Sequence, residues 1–239
     1  MTVMTGKTVR EIALENHAAT RVFERLGIDY CCGGNKSLEE ACGAAKVPVE
    51  HVLEAIAGQS QRGTTPDRNW QIEPLFELVA HIKNTHHVYV REEIARLRPL
   101  FDKVCSVHGK NHPELFDVQA RFGFLAEELT LHLMKEEAVL FPYILRMEES
   151  VLEHASVPPA PFGSVANPIS MMEHEHDSAG DSLRFMRRSS NGYTAPEDAC
   201  VSFKTLYQAL AEFEADLHQH IHLENNILFP RAVAMERSH

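Results

Sequence analysis

The chain contains an eleven-residue pattern twice, and each copy places a histidine and a glutamate one helical turn apart. The first copy, HLMKEEAVLFP, covers residues 132–142, and the second, HIHLENNILFP, covers residues 220–230. Five of the eleven positions agree: the histidine, the glutamate four residues later, and the final Leu-Phe-Pro. Because side chains at i and i+4 lie on one face of a helix, the histidine and the glutamate of each copy can point to the same spot.

The residues around these pairs predict that both pairs face a protein core. His132 and Glu136 share their helical stripe with apolar positions, and so do His220 and Glu224. A buried carboxylate without a partner costs several kcal/mol, and a bound cation is the simplest compensation. The alternative is a pair of buried, hydrogen-bonded His/Glu networks in a duplicated structural bundle. The apolar positions are Leu125, Leu129, Val139, Leu140 and Tyr143 in the first stripe and Phe213, Leu217, Ile227 and Leu228 in the second.

Hydrophobic periodicity predicts an all-α protein with a bundle over residues 70–239. Four long amphipathic helices are expected, and we expect each Leu-Phe-Pro to come at a helix end. Mostly short loops favour an up-down-up-down arrangement. The expected helices cover about residues 73–107, 114–147, 168–188 and 195–235.

The N-terminal part of the chain predicts a separate small helical domain over residues 1–57. Thr8 can cap a helix that reaches about residue 26, and Ser37 can cap a second helix, with Glu40 completing a capping box. A third short helix is expected over about residues 48–57. The polar stretch from 58 to 69 is interpreted as a linker.

The first bundle helix offers three histidines, of which His87 is the preferred metal ligand. His87 lies three and seven residues before the apolar positions Val90 and Ile94, so it shares their stripe. His86 faces a more polar side and is the second candidate, and His81 is the third.

A candidate ligand set follows from one histidine on each of the first and third helices. On the third helix His176 shares its face with apolar residues, whereas His174 lies with polar ones. Four imidazoles and two carboxylates are too many for one tetrahedral ion, so they suit two metals bridged by the glutamates. Such metals would keep open positions for oxygen, nitric oxide or water. The predicted ligands are His87, His132, Glu136, His176, His220 and Glu224.

Other histidines and glutamates near the motifs are expected to have lesser roles. Glu128 and Glu175 are each interpreted as a solvated side chain or as a group that orients an imidazole. Surface positions are expected for His17, His51, His108, His112, His154, His218, His222 and His239.

The chain has five cysteines, which is an odd number. In a cytosolic chain they are expected to be thiols or metal ligands rather than a framework of disulfides. Adjacent cysteines rarely bond to each other, so Cys31 and Cys32 are predicted to be free. A loop thiol near a helix end can have a lowered pKa and be reactive. The alternative is two small residues at a tight turn.

Charge and hydropathy exclude several classes of function. The net charge of −11 and the lack of a Lys/Arg cluster argue against nucleic acid as a partner. The sequence has no run of about 18 apolar residues, so it predicts no membrane span. The first residues lack the basic-then-apolar layout of a signal peptide. We therefore expect a cytoplasmic protein. The sequence does not fix the oligomeric state, and both a monomer and a homodimer are compatible with it.

Several stretches of the chain resemble the iron-sulfur cluster repair di-iron proteins. DYCCGG followed by SLEEAC is similar to their short N-terminal domain, and MKEEAVLFP, MEHEHDSAG and HLENNILFP are similar to their hemerythrin-like domain. The resemblance implies two non-haem iron ions with bridging carboxylates and an oxo or hydroxo bridge. It carries the six ligands named above and the paired thiols, Cys31 and Cys32, onto this chain.

The resemblance also implies a role in nitrosative and oxidative stress. The expected function is repair of damaged iron-sulfur proteins by iron donation, nitric oxide binding, or both, with Cys31 and Cys32 mediating transfer or contact with the client protein. The alternatives are a nitric oxide reductase, a hemerythrin-like scavenger or sensor of nitric oxide or oxygen, and a metal-free structural bundle.

Overall fold

The computed structural model describes residues 6–60, 68–157 and 159–238, and these residues form an all-α protein, as predicted. Within these ranges the only β-type contact is an isolated bridge between Thr8 and Ser37. No helix in the described part of the chain has the length and hydropathy needed to cross a membrane.

Within residues 6–60, four short helices form the N-terminal unit. Thr8 and Ser37 begin α1 and α3 with capping boxes, as expected. The single helix predicted up to residue 26 is instead broken at Asn16, which has an extended backbone and caps the next helix through Ala18 N. The last helix continues through Ser60, and residues 61–67 of the predicted linker lie outside the described residues. The helices are α1 (Val9–Glu15), α2 (His17–Leu26), α3 (Leu38–Ala45) and α4 (Val49–Ser60).

The rest of the described chain forms the predicted four-helix bundle, and three of its four long helices contain a π-helical segment. The first comprises α5 (Leu75–His81), π1 (Ile82–His87) and α6 (Val88–His108). The second comprises α7 (Glu114–Lys135), π2 (Glu136–Leu140) and α8 (Phe141–Leu152). The third is α9 (Ala166–Ser189), and the fourth comprises α10 (Val201–Leu223), π3 (Glu224–Leu228) and α11 (Phe229–Arg237).

The expectation that Leu-Phe-Pro ends a helix is wrong, because both helices continue beyond it. The N–H of Phe141 donates to the carbonyl of Glu136, and the N–H of Phe229 donates to that of Glu224, so each hydrogen bond spans five residues. The following proline then lies in the first turn of the next α-helix, where its missing N–H is tolerated. Insertions of this kind are frequent at functional sites.

Two hydrophobic clusters fill the bundle, and the His/Glu motifs lie between them along each helix. One cluster contains Phe122 and Phe213, and the other contains Phe141 and Phe229. All four of these side chains are at most 1% exposed. The polar residues of the motifs are therefore enclosed by apolar packing on both sides.

The small domain docks on the bundle beside the motifs. The Nδ2 of Asn226 donates to the carbonyl of Tyr30 at 3.1 Å, and Arg10 donates to the carbonyl of Asn226 at 3.2 Å. Glu24 pairs with His218 at 2.7 Å, and Cys31 joins the buried cluster that contains Phe122 and Phe213. The cysteine loop is thereby held against the bundle.

Replacing Gly109 by Ala is expected to lower the free energy of unfolding by about 1–3 kcal/mol through overpacking. A Cβ at Gly109 would lie 2.5 Å from both the carbonyl oxygen of Cys105 and the Cζ of Phe116. Gly123, inside α7, is the matched control, since a Cβ there meets nothing within 4 Å. G123A should leave stability unchanged or raise it by about 0.5–1 kcal/mol. Equal urea midpoints for the two variants would contradict this packing.

Candidate metal centre

The structure brings the six predicted ligands together at the centre of the bundle. They form two groups of four, and both groups contain Glu136 and Glu224. Within each group, the candidate ligand atoms lie within 4.8 Å of one another. Each of the six residues is at most 2% exposed. The two groups are His87, Glu136, His220 and Glu224, and His132, Glu136, His176 and Glu224.

The i,i+4 spacing produces the first set of contacts across the centre. The Nε2 of His132 lies 3.5 Å from Oε1 of Glu136, and the Nε2 of His220 lies 3.1 Å from Oε1 of Glu224. Each glutamate is the first residue of a π-segment. The doubled motif therefore supplies one histidine and one shared carboxylate from each of two helices.

Histidines from the other two helices complete the groups. The Nε2 of His87 lies 3.4 Å from Oε2 of Glu136 and 4.0 Å from Oε1 of Glu224. The Nε2 of His176 lies 3.2 Å from Oε2 of Glu224. It also lies 3.0 Å from the Nε2 of His132. All four imidazoles thus aim the same nitrogen, Nε2, at the shared carboxylates.

Neighbouring side chains hold three of the four imidazoles by their outer nitrogen, Nδ1. The carboxylate of Glu175, which directly precedes His176, pairs with the Nδ1 of His132. Glu128 contacts Ser178 and no imidazole among the described residues. Sequence reasoning missed the other two groups, Glu137 and Asn225, although each directly follows a shared glutamate in the doubled motif. Such partners fix the ring orientation and the tautomer of a ligating histidine. The three Nδ1 contacts are His87 to Glu137 at 2.7 Å, His132 to Glu175 at 2.8 Å and His176 to Asn225 at 2.7 Å.

The fourth imidazole lacks an equivalent hydrogen bond. The Nδ1 of His220 is buried without a hydrogen-bond partner, and its ring stacks on His86 with centroids 5.5 Å apart and planes 6° apart. The Nδ1 of His86 pairs with Asp216 at 2.9 Å. His86 therefore lies beside the centre, and His81 stacks on Trp70 at 4.6 Å. Of the three histidines considered on the first bundle helix, the structure brings only His87 to the carboxylates.

Unsatisfied polar atoms show that the pocket fits a cation. The Nε2 of His87, both carboxylate oxygens of Glu136 and the Oε2 of Glu224 are buried without a hydrogen-bond partner. Leaving such atoms unpaired in a protein interior costs free energy, most of all for a carboxylate. Lone pairs from imidazole and carboxylate groups that converge from four helices form a donor set that a transition-metal ion satisfies.

The pKa values of these groups report the same attraction for positive charge. Burial alone would lower the pKa of His87, but the carboxylates of Glu136 and Glu224 outweigh it and raise that pKa to about 10. Burial likewise opposes the charged form of His176, and Glu224 raises its pKa to about 9. Burial would raise the pKa of Glu224, yet His220 and the other nearby histidines hold it well below its usual range. A bound metal replaces the protons that these imidazoles otherwise attract.

Not all of the histidines expected at the surface are exposed. His222 is fully buried, contrary to expectation, and its Nδ1 lies 2.8 Å from the Nδ2 of Asn226. His218 is partly buried where it meets Glu24 at the domain contact. The rejected candidate His174 is exposed. The side chain of His17 and all of His239 lie outside the described part of the chain.

The paired cysteines are free thiols, and one of them, Cys32, contacts the backbone of a candidate ligand. The Sγ atoms of Cys31 and Cys32 are 3.7 Å apart, and the Sγ of Cys32 lies 3.6 Å from the carbonyl oxygen of His176. The Cys32 thiol and burial raise the pKa of Cys31 well above its usual value, whereas a lowered pKa was one expectation.

Comparison with known proteins identifies the family of the chain. Residues 79–232 match the Hemerythrin HHE cation binding domain, and residues 5–59 match a domain described as a Domain of Unknown function, DUF542. The chain is 35% identical to the iron-sulfur cluster repair protein YtfE of Musicola paradisiaca over 231 residues. The matched residues cover 96% of this chain and 97% of the relative. The chain belongs to the family of iron-sulfur cluster repair proteins.

Other members of the iron-sulfur cluster repair family match over a similar span. The protein YtfE of Escherichia coli O157:H7 is 35% identical over 227 residues, which cover 95% of this chain and 96% of the relative. A probable iron-sulfur cluster repair protein of Haemophilus influenzae is 35% identical over 224 residues, which cover 93% of this chain and 95% of the relative. The His/Glu centre thus lies within a hemerythrin-type, cation-binding domain.

Replacing Glu175 by Ala is expected to weaken metal binding about 10- to 100-fold, because His132 loses the carboxylate that orients it. Glu128 is the matched control, since it also joins α7 to α9, through Ser178, without touching an imidazole. The measurement is chelator competition on protein loaded anaerobically with Fe²⁺. Equal affinities for E175A and the unmodified protein would contradict the orienting role, and E128A should match the unmodified protein.

Proposed function

We propose that this chain is a di-iron protein that repairs damaged iron-sulfur clusters during nitrosative and oxidative stress. The observation that carries the proposal is the pair of buried four-residue groups that share Glu136 and Glu224. Two shared carboxylates between two sets of histidines are the donor arrangement that two adjacent metal ions require. The names of the relatives supply the process, which is repair of iron-sulfur clusters.

Iron is the metal that best combines these features. Mixed imidazole and carboxylate ligands suit iron, manganese or zinc, and iron is the ion that a damaged iron-sulfur cluster needs. Bound iron would supply open coordination positions for nitric oxide or oxygen and a store of ions that can be released. The remaining roles belong to the side chains around it.

Two features of the chain support reversible metal binding at an enclosed site. Glu137, Glu175 and Asn225 fix three imidazoles by their outer nitrogens, so that the donor atoms stay convergent. The two apolar clusters above and below the motifs restrict the entry of water. His220, whose Nδ1 has no hydrogen-bond partner, is the ligand from which an ion would be lost most readily.

The cysteine loop is the part of the small domain best placed to communicate with a client protein. Cys32 is partly exposed and contacts the backbone of His176, so it joins the surface to a candidate ligand. We assign Cys31 and Cys32 to transfer of iron or to contact with the client. This assignment requires thiols that are dispensable for iron binding at the bundle.

Repair of a nitric-oxide-damaged iron-sulfur protein by the iron-loaded chain tests the proposal. Recovery of cluster absorbance should require the bundle site and therefore disappear in the double variant E136A/E224A, while E128A repairs normally. The double variant C31A/C32A should keep its iron but repair more slowly. Repair at the unmodified rate by iron-free protein would contradict the proposal.

The same reaction distinguishes the alternative functions. Catalytic formation of nitrous oxide in the presence of a reductant, without cluster recovery, would instead assign the chain as a nitric oxide reductase. Reversible, stoichiometric gas binding without either activity would assign it as a scavenger or sensor. A folded chain that binds no metal would return the doubled motif to a structural role.

A further inference from the structure

Three potential ligand atoms converge in the cysteine loop, outside the His/Glu centre. They belong to Asp29, Cys31 and Cys32, and all three atoms lie within 4.8 Å of one another. The two sulfurs are 3.7 Å apart, and the Sγ of Cys31 lies 3.5 Å from Oδ1 of Asp29. Two thiols and one carboxylate form a donor set that soft and borderline divalent ions prefer.

The separation of the two sulfurs, 3.7 Å, matches the edge of a coordination tetrahedron. With metal–sulfur bonds of about 2.3 Å and tetrahedral angles, two sulfur ligands lie roughly 3.8 Å apart. A disulfide would instead require the sulfurs of Cys31 and Cys32 to approach to about 2.05 Å. The loop thus holds its two thiols at a distance suited to a shared ion.

Backbone hydrogen bonds fix this arrangement before any ligand binds. The Oδ1 of Asp29 accepts the N–H groups of Cys31 at 3.2 Å, Cys32 at 3.0 Å and Gly33 at 3.0 Å. The N–H of Arg10 donates to the carbonyl of Gly34 at 2.8 Å and ties the loop to α1. A preorganised loop loses little conformational entropy on binding.

The loop is accessible from cavities on two sides. One cavity of about 540 Å³ is lined by Asp29, Cys32 and Arg184, among others. A second cavity of about 200 Å³ is lined by Cys31, Cys32 and Asn225, among others. Cys32 borders both, so an ion held by the loop would have an open position toward solvent. Asn225 also holds the outer nitrogen of His176, so the second cavity lies next to the bundle centre.

Nearby positive charge balances such a site. A divalent ion with two thiolates and one carboxylate carries a net charge of −1. The guanidinium of Arg184 lies 3.5 Å from Oδ2 of Asp29 and lines the larger cavity. This cation offsets the excess negative charge of the loaded loop.

We propose that Asp29, Cys31 and Cys32 form a second metal site that binds one thiophilic divalent ion. The two sulfur–metal bonds form as the two S–H bonds release their protons to solvent, and no electron is transferred. Asp29 supplies the third ligand through Oδ2, because its Oδ1 already accepts the three loop N–H groups. The fourth position faces the cavities. In the cell the ion would be Fe²⁺ in passage between the bundle and a client, a role that rests on the proposed function.

Cadmium titration of the iron-loaded protein under anaerobic conditions tests the site. Cadmium bound by thiolates gives a charge-transfer absorption in the ultraviolet, which His/Glu ligands do not give. The absorption should saturate at one cadmium per chain while the iron content, measured after desalting, stays constant. The variant C200S is the matched control, because it removes an exposed cysteine elsewhere and should titrate normally.

Two variants identify the ligands without emptying the core. C32S alters the less buried of the two thiols and should abolish the one-equivalent absorption. D29N keeps an oxygen to accept the loop N–H groups but removes the charge, and it should weaken cadmium binding at least about tenfold. A full titration by C32S, or the absence of thiolate absorption in the unmodified protein, would overturn the site.

The outcomes separate this inference from the proposed function, because cadmium binding needs no client protein. A chain that binds cadmium at the loop but repairs no cluster keeps the site and loses the function. Conversely, full-rate repair by C32S, which binds no cadmium, and by D29N, which binds it more weakly, would keep the function and overturn the loop as a transit site. Slower repair in step with weaker cadmium binding would support both.

Discussion

The structure depends on two carboxylates that are buried where water cannot reach them. Glu136 and Glu224 are fully enclosed, and three of their four oxygens have no hydrogen-bond partner. Isolated charges in such a place would strongly destabilise the fold, and positive charge beside them removes the penalty. The four surrounding histidines provide donor atoms suited to a metal ion, and the apolar clusters on both sides enclose them. The helices of the bundle hold these side chains in place.

The centre has an approximate two-fold symmetry that is broken at one ligand. Glu137 and Asn225 each follow a shared glutamate, and each holds the histidine of another helix. Glu175, before His176, holds His132, but the equivalent position before His87 is His86, which stacks on His220 without bonding its free nitrogen. Two metal ions held as proposed would therefore have chemically different surroundings. The proposed function, which requires the protein both to keep and to donate iron, would benefit from one tighter and one weaker position.

Residue spacing predicted the fold class and the face on which the motifs lie, because the i,i+4 rule and the apolar stripes depend only on local helix geometry. It could not predict the π-segments, because their extra residue per turn has no recognisable sequence pattern. For this reason the spacing predicted a helix end at Pro142, where the helix in fact continues. Glu137 and Asn225 act on histidines from other helices, and the burial of His222 follows from docking of the small domain. These features depend on contacts between helices that are far apart in the sequence, which residue spacing within one helix does not reveal. The ligand roles of the six residues, and the roles of Cys31 and Cys32, remain proposals.

The most direct test of the account is the metal content of protein purified without oxygen, measured by elemental analysis for iron and zinc. The account predicts two irons per chain. It also predicts that both are lost when Glu136 and Glu224 are changed to Ala and that both are kept in E128A, with helical content unchanged by circular dichroism. Zinc in place of iron, or no metal in a chain that is folded, would contradict the di-iron centre and with it the proposed repair chemistry.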